Sequence, residues 1–425
     1  MSNIFATIVI FSLLFSFKIP YLYNSIILSA IFCMPFLFSS TVLTNLKTLY
    51  TTRFFYVSCM FLSIIIVFTS FLTIIYGKYD FSFTLRFLFQ VVYLLFAILV
   101  TSVIYYIGLR KKKENFVELC ILNAFLLQAL IILTAFVSPT VRDIIQLFQD
   151  DATVQIAAQY SGIRGLALAG AQFFGLSVGF SIALILSTFL YVNNKISTLR
   201  YVSYFILFTV SIFFVGRSGL LGSAISLLYL IVALAYDNKI KRVVKFLAFL
   251  SGTIAIGCVL FYLLAPVAVK DSVFNYLLPF AFEFIYNYLN KGTFATTSTN
   301  TLEGMYFTIN EITLLLGDGV YTNADNTYYM HTDAGYMRVI LFGGIVSMIL
   351  MFSYQLYLVN CIRKYFEYFH YNGRNLFYIF MVVSLLIFQY KGEVIGFLAI
   401  MQIIFFILLS TLCLRFKRTP MEDKE

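Results

Sequence analysis

Charged residues are scarce in this sequence. Only 11% of its 425 residues are Asp, Glu, Lys or Arg, whereas 61% are hydrophobic and the mean hydropathy is +0.92. An ordinary soluble domain is about a quarter charged, so this composition leaves too little charge to cover a surface that faces water. The scarcity of charge excludes a soluble globular fold and indicates an integral membrane protein.

The motifs of nucleotide-dependent and metal-dependent chemistry are also missing. There is no GxxxxGK[ST] phosphate loop, no metal-binding DxD or HExxH and no GxSxG nucleophile turn. The six cysteines are scattered without a Cys-x-x-Cys pair, which predicts neither a disulfide framework nor a zinc site. We therefore expect no cofactor, neither nucleotide nor metal.

Long apolar segments recur along the whole chain, many of them near the ~20 residues that cross a hydrocarbon core. They do not alternate apolar and polar residues as barrel strands do, so helices must pair the backbone groups within the lipid. The sequence predicts an all-α, polytopic membrane protein with a single transmembrane domain over residues 1–425 and about twelve spans. The first segment has no basic lead-in and no small-residue cleavage site, so we expect it to remain as a span rather than a signal peptide. The predicted spans are 3–17, 21–43, 54–76, 85–109, 116–137, 165–191, 202–215, 220–236, 246–269, 336–360, 376–389 and 394–414.

Basic residues are distributed unevenly among the predicted connections. If the N-terminus is cytoplasmic, most of the 29 Lys and Arg residues fall in inner loops and the C-terminal tail, including the clusters at 110–113 and 239–245. The positive-inside rule then predicts that both termini are cytoplasmic. This excess accounts for the net charge of +10, and no basic segment is interleaved with exposed aromatic residues, so we expect no nucleic-acid partner.

Two predicted outer loops are much longer than the other connections: 138–164 and 270–335. Long loops that need not connect distant elements often carry function. No internal repeat relates the two halves of the chain, which argues against a transporter built from repeated bundles.

Three arginines fall on the outer side of this predicted topology: Arg164, Arg217 and Arg338. Arg86 and Lys391 lie at outer helix ends as well. An arginine at the centre of a membrane helix costs roughly 2.5–3.5 kcal/mol and somewhat less near the interface, so a retained one usually has an anionic partner. Its planar fork suits phosphate oxygens, and we predict a site for a phosphate or diphosphate ligand; snorkelling to lipid headgroups is the alternative for each arginine.

The second half of the long loop holds the candidate proton-transfer groups. His331, one of two histidines, and Asp333 precede the tenth span, and Glu311 lies earlier in the loop, as does Asp318. A histidine or carboxylate there would orient or deprotonate a sugar hydroxyl. The alternatives are a helix-capping role for Asp333 and a solvated loop position for His331.

With these residues the chain resembles the O-antigen polymerases of the Wzy type. The resemblance rests on about twelve helices, a large outer loop in the C-terminal half and the turn Arg217-Ser218-Gly219. Its best local match runs from Asp333-Ala334-Gly335-Tyr336-Met337-Arg338 to Gly343-Gly344. More loosely, the chain is similar to the wider group of polymerases and ligases that act on lipid-linked glycans.

The resemblance implies a glycosyltransferase with GT-C-like architecture in the bacterial inner membrane. Its substrate would be repeat units carried on undecaprenyl diphosphate, and its pathway partners would be a flippase and a chain-length regulator. Arg164, Arg217 and Arg338 would bind the diphosphate, and His331 with Asp333 or Glu311 would position the acceptor hydroxyl.

Three tyrosines of the loop are predicted to stack on sugar rings, although tyrosines are also common at membrane interfaces: Tyr321, Tyr328 and Tyr329. An O-antigen ligase shares nearly all of these features. A ligase would be expected to have a His-x-x-x-Leu spacing at this place. His331 could supply the histidine, but the residue four positions later is Gly335 rather than leucine. A lipid-linked oligosaccharide flippase is the alternative from another class.

Overall fold

The structure is a computed structural model that describes residues 2–159, 164–325 and 327–418. Within these ranges it is helical, with no β-strand beyond an isolated bridge between Thr322 and Tyr328. The α-helices are α1 Ser2–Phe15, α2 Ser25–Cys33, α3 Ser40–Tyr50, α4 Arg53–Ile75, α5 Ser82–Arg110, α6 Phe116–Val137, α7 Pro139–Gln146, α8 Asp151–Ala158, α9 Phe173–Val192, α10 Thr198–Val215, α11 Leu220–Tyr236, α12 Ile240–Leu264, α13 Val267–Ser272, α14 Leu278–Ala281, α15 Glu283–Lys291, α16 Thr297–Gly304, α17 Glu311–Leu316, α18 Gly335–Tyr368, α19 Arg374–Lys391 and α20 Ala399–Arg418.

Nine helices in the described ranges are long and apolar enough to cross a membrane, which confirms a multi-pass membrane protein. They are α4, α5, α6, α9, α10, α11 with the 3₁₀ turn before it, α12, α18 and α20. Helix α1 has only 14 residues, and α19 has the polar residues Arg374 and Lys391 at its ends.

The segment 25–50 differs from the straight span expected at 21–43. Helix α2 continues into a 3₁₀ turn, Met34–Phe38, and then meets α3 at a bend of 116°. Pro35 has no N–H to donate, and Ser39 is extended (φ −84°, ψ 123°), so the α-helical hydrogen bonds stop here. Counted as one broken span, this pair brings the total among the described helices to ten.

Helices α9 and α20 form the centre of the bundle, and α12 lies at its edge with an apolar surface exposed along its length. Helix α9 packs against α10 and α11. Hydroxyl groups join these helices, because Thr188 contacts Tyr201 at 2.9 Å and Ser226 at 2.6 Å. Small and hydroxyl-bearing residues allow this close approach between membrane helices.

Contacts between helix ends define two ends of the bundle. At one end, which we call the basic end, Lys111 contacts Asn3, Arg415 binds Glu118 at 2.8 Å and Lys195 binds Glu114. Helix α1 begins there and α20 ends there. At the other end, which we call the loop end, lie the described parts of 138–172 and 265–334 and the short connections 76–81, 216–219 and 392–398. Residues 160–163 of the first long loop lie outside the described residues.

The long loops contain helices of their own. The predicted sixth span begins late, because α9 starts at Phe173 and residues 164–172 precede it without helix. Gly170 donates from its backbone N–H to the Phe15 carbonyl at 2.7 Å, so this segment closes over the end of α1. The larger loop holds α13 to α17, all short.

Candidate functional site

Asp80, between α4 and α5, holds the loop segment around residue 321 in place. One carboxylate oxygen accepts the backbone N–H groups of Tyr321 (2.9 Å) and Thr322 (2.8 Å) and the Thr322 hydroxyl (2.9 Å). The other oxygen accepts the N–H of Ser82 at 3.0 Å. Burial alone would raise the pKa of Asp80, but these hydrogen bonds outweigh it and the pKa lies below its ordinary value.

Helix α18 is broken near its start, and the residues that come just before the segment around residue 321 pack against this break. Gly343 and Gly344 leave the helical conformation, and Gly344 has φ +61°, which glycine adopts without steric penalty. The carbonyl groups just before the break accept from the loop: Asp318 N–H reaches Leu341 O at 2.7 Å and Gly319 N–H reaches Phe342 O at 2.9 Å. The Gly-Gly pair therefore positions residues 317–319 directly against the first turns of α18.

Arg338, in the first turn of α18, lies between two tyrosine rings. Its guanidinium carbon is 4.0 Å from the centroid of the Tyr321 ring and 3.6 Å from that of Tyr328. Its Nε lies 3.4 Å from a carboxylate oxygen of Glu393, and the Tyr321 hydroxyl donates to that oxygen at 2.5 Å. Only 4% of the Arg338 side chain is exposed. A buried cation is thus matched by one carboxylate and two aromatic faces.

Glu393 lies in the short connection between α19 and α20. The side chain of Gln389 shapes this connection, since its oxygen accepts the backbone N–H groups of Val394 and Ile395 at 2.9 and 2.8 Å. Burial raises the pKa of Glu393, while the charges of Arg338 and Arg86 act in the opposite direction. Burial likewise raises the pKa of Tyr321.

Arg164 and Arg217 flank one aromatic ring. Their guanidinium carbons lie 5.3 and 4.9 Å from the centroid of Phe280, in α14. Arg217 forms an ion pair with Glu283 and donates to the Phe280 carbonyl at 3.1 Å. Burial alone would raise the pKa of Glu283, but hydrogen bonds from Thr297 and Arg217 leave it below its ordinary value. Both arginines are partly exposed.

Lys391, at the end of α19, lies near Arg164 and Arg217 on one side and near Asp333 on the other. It lies within range of the charges of Asp333, Arg217 and Arg164, and Asp333 is within range of Arg338. The three predicted arginines therefore share the loop end with a fourth cation that belongs to α19. This arrangement concentrates positive charge where the long loops meet the bundle, and it can attract an anionic ligand.

The three candidate catalytic residues remain separate in the structure. Glu311 is exposed at the start of α17, where the side chain of Asn310 caps the helix at 2.7 Å from the Thr313 N–H. His331 is exposed and has φ +53°. Asp333 is exposed and does not cap α18. Within the described ranges, the side chains of His331, Asp333 and Glu311 form no hydrogen bond with one another.

The Thr332 hydroxyl, rather than Asp333, organises the start of α18. It accepts the Ala334 N–H at 3.3 Å and donates to the Met305 carbonyl at 3.0 Å. Asp333 is therefore left facing solvent near Lys391, which frees its carboxylate for another role.

The three predicted sugar-stacking tyrosines have different surroundings. Tyr321 is only 2% exposed, whereas Tyr328 is 45% exposed. The Tyr329 hydroxyl donates to Asp318 at 3.2 Å, and its ring lines an open cleft of about 890 Å³ between residues 76–82 and 318–329. Tyr328 therefore offers exposed ring surface, Tyr329 is half-buried at the cleft, and Tyr321 packs against the Arg338 guanidinium.

Sequence reasoning did not identify Glu393, Asp80 or Glu283 as partners in this region. Each lies more than 50 residues from the arginine or the loop segment that it holds, namely Arg338, residues 321–322 and Arg217, so no local spacing connects them. The available signal for Glu393 was its isolation, since it is an acidic residue in a short turn between two apolar segments. Among the described residues, no group of three or more His, Cys, Asp or Glu side chains is arranged to hold a metal ion.

No protein-family model, no curated protein and no solved structure matches the chain.

Proposed function

We propose that this protein polymerises undecaprenyl-diphosphate-linked oligosaccharide repeat units at the outer face of the bacterial inner membrane. The observation that carries the proposal is the pair of partly exposed arginines, Arg164 and Arg217, on one ring, with Lys391 in electrostatic range. Guanidinium groups bind the oxygens of a diphosphate in paired hydrogen bonds. A lipid diphosphate that enters from the bilayer would meet them at the loop end.

In the proposed reaction, a hydroxyl oxygen of the acceptor unit bonds to the anomeric carbon of the donor glycan. The bond from that carbon to the diphosphate oxygen breaks, and undecaprenyl diphosphate leaves with the electron pair. Arg164, Arg217 and Lys391 would stabilise the charge that develops on this leaving group. The hydroxyl proton would pass to Asp333, which lies within range of the charges of Lys391 and Arg338, or to His331; both side chains are exposed.

Arg338 has a different proposed role from the other two arginines. Only 4% of its side chain is exposed, so its contribution to diphosphate binding would be through the fixed positive charge that it adds nearby. Tyr328 covers one face of its guanidinium and would present the other ring face to the glycan.

The proposal includes a GT-C-like architecture, about twelve spans and an inner-membrane location with both ends of the chain cytoplasmic. The supporting observation is that the basic end and the loop end are opposite ends of the same bundle. Counting α1, the bent α2–α3 pair and α19 with the nine long helices would give twelve spans.

The test is deletion of the gene in its native strain and complementation with wild type, Arg217→Ala or the control Arg200→Ala. Arg200 lies at the basic end, so its loss removes the same charge far from the proposed site. Surface polysaccharide is separated on a silver-stained gel. We expect deletion and Arg217→Ala to leave a core that carries a single repeat unit, whereas Arg200→Ala restores the polymer.

Other outcomes of the same gel would contradict polymerisation. A bare core with polymer accumulating on the lipid carrier would identify a ligase. Loss of all outward-facing repeat units, with lipid-linked units trapped inside, would identify a flippase. Membrane abundance of each variant is measured by immunoblot, so that a loss of protein is distinguished from a loss of activity.

A further inference from the structure

The basic end contains a cavity that the proposed reaction does not use. It has a volume of about 450 Å³ and lies between the end of α5, the start of α6 and the end of α20. Four cations line it against one carboxylate: Lys112, Lys113, Lys195 and Arg415 against Glu114. A concave site with this charge favours an anionic ligand.

Two of the four cations already have carboxylate partners. Arg415 binds Glu118 at 2.8 Å, and Lys195 binds Glu114 at 3.2 Å. The two neighbouring lysines of the α5–α6 turn form no salt bridge with any carboxylate of the described residues. The cavity therefore has two positive charges that its own acidic residues do not match.

The backbone of the turn directs these lysines to the cavity. The N–H groups of Lys112 and Lys113 donate to the carbonyls of Leu109 and Gly108 at 3.0 and 3.2 Å. Lys112 has φ +53°, a left-handed conformation that costs an L-residue energy and that glycine adopts freely.

The rest of the lining is apolar and aromatic, with Leu109, Val117 and Phe369 beside the basic groups. A free phosphate ion would make no use of these side chains, whereas a phospholipid would place its phosphate on the lysines and its first methylene groups on the apolar wall. Basic pockets between membrane helices on the cytoplasmic side bind anionic headgroups in this way. We infer that this cavity binds the phosphate of an anionic phospholipid, with Lys112 and Lys113 as its ligands.

The experiment measures binding of phosphatidylglycerol and phosphatidylcholine to the full-length protein in detergent by native mass spectrometry. The test variant is Lys112→Ser/Lys113→Ser, and the matched control is Lys241→Ser/Lys245→Ser, which removes two exposed lysines of the basic end outside the cavity. We expect phosphatidylglycerol to bind more tightly than phosphatidylcholine to wild type. The test variant should weaken phosphatidylglycerol binding by about fivefold per lysine, and the control should not.

A second variant separates ligand binding from folding. Lys112→Gly removes one charge and relaxes the left-handed turn, so the thermal midpoint should be unchanged or higher while phosphatidylglycerol binding falls. Equal weakening by the test and control pairs would overturn the inference, because it would show general surface attraction. Binding of inorganic phosphate with no preference for phosphatidylglycerol would also overturn it.

Discussion

At the scale of single residues, Arg338 is the most constrained charge at the loop end. Removing a guanidinium from water is costly, and the cost is offset here by Glu393 and by the rings of Tyr321 and Tyr328. The Tyr321 hydroxyl shares the Glu393 oxygen, so the three side chains form one unit. Such a unit is stable only when it is complete, because a single deletion leaves a buried charge without a partner.

We predict that Glu393→Ala destabilises the protein by about 3–5 kcal/mol, because it leaves the buried Arg338 cation unpaired. Glu393→Gln should cost less, since the amide oxygen still accepts the Tyr321 hydroxyl. The measurement is thermal unfolding in detergent, followed by circular dichroism at 222 nm. The control is Glu367→Ala. It removes a carboxylate that is much more exposed than that of Glu393 and lies 3.9 Å from the guanidinium of Arg374. It should change stability by no more than about 1 kcal/mol. Equal effects of Glu393→Ala and Glu367→Ala would contradict the buried-pair interpretation.

Asp80 makes stability depend on pH in a defined direction. Because its pKa is lower in the folded state, its contribution is complete above the ordinary Asp value of about 3.9 and is lost as pH falls through the folded value. Asp80→Asn should cost about 1–3 kcal/mol at neutral pH, since a carboxylate that accepts from four donors is replaced by a neutral amide. We expect the unfolding midpoints of wild type and Asp80→Asn to converge as pH is lowered below the ordinary Asp value of about 3.9. A difference that stays constant from pH 7 to pH 3 would contradict this.

The sequence identified individual site residues better than their partners. Arg164, Arg217 and Arg338 stood out because charge is rare next to apolar spans, and all three lie at the loop end. Their proposed roles differ because the burial of each side chain depends on residues that are far away in the sequence. Tyr321 is buried under Phe83 and Phe397, whose ring centroids lie 5.3 and 6.2 Å from its own. No local pattern around Tyr321 contains that information.

At the scale of elements, the break in α18 determines how the long loop attaches to the bundle. In a continuous helix the carbonyls of Leu341 and Phe342 would accept hydrogen bonds from N–H groups one turn later. The break frees them to accept from the N–H groups of Asp318 and Gly319 instead. Gly317 and Gly344 face each other across this contact, and a Cβ atom on either would overlap the backbone of the other segment. Close approach and a positive φ explain both glycines.

Gly344→Ala is therefore expected to destabilise the protein by more than about 2 kcal/mol, from the left-handed strain and the overlap with the Leu315 carbonyl. Gly257→Ala is the matched control, because it lies in α12 with open space around it. It should be neutral or stabilising by up to about 1 kcal/mol, since alanine favours helix over glycine. Both are measured as thermal midpoints in detergent. Equal destabilisation by the two substitutions would rule out this account of the break.

The long apolar helices were predictable because hydropathy over about 20 residues is a strong local signal. The nine helices that are long enough to span coincide with predicted segments. The bend between α2 and α3 and the non-helical residues 164–172 were not predicted. Both depend on tertiary contacts, such as the hydrogen bond from Gly170 to the Phe15 carbonyl, that composition does not encode.

At the scale of the whole molecule, the two ends carry basic residues in different ways. At the basic end, lysines and arginines lie in short connections such as 110–115 and 237–239 and at the starts and ends of the helices that flank them. At the loop end, arginines are held by aromatic rings and carboxylates. The first pattern is typical of cytoplasmic loops, and the second is typical of a binding site.

This asymmetry predicts the orientation of the protein in the membrane. In a variant whose natural cysteines are replaced, Ala324→Cys lies on the exposed edge of the loop-end cleft and Lys241→Cys is exposed at the basic end. A membrane-impermeant maleimide should label Ala324→Cys in intact spheroplasts and Lys241→Cys only after permeabilisation. Positive residues near short loops resist translocation, so the basic end should remain inside.

The labelling pattern distinguishes three arrangements. Labelling of Lys241→Cys alone in intact spheroplasts would mean that the bundle is inverted, and the arginine cluster would then face the cytoplasm, away from outward-facing repeat units. Labelling of both positions from one side would contradict the opposite placement of the two ends. Ala324→Cys in an Arg217→Ala background serves as the control, because loss of activity without a change in labelling would assign the defect to the proposed diphosphate site rather than to membrane insertion.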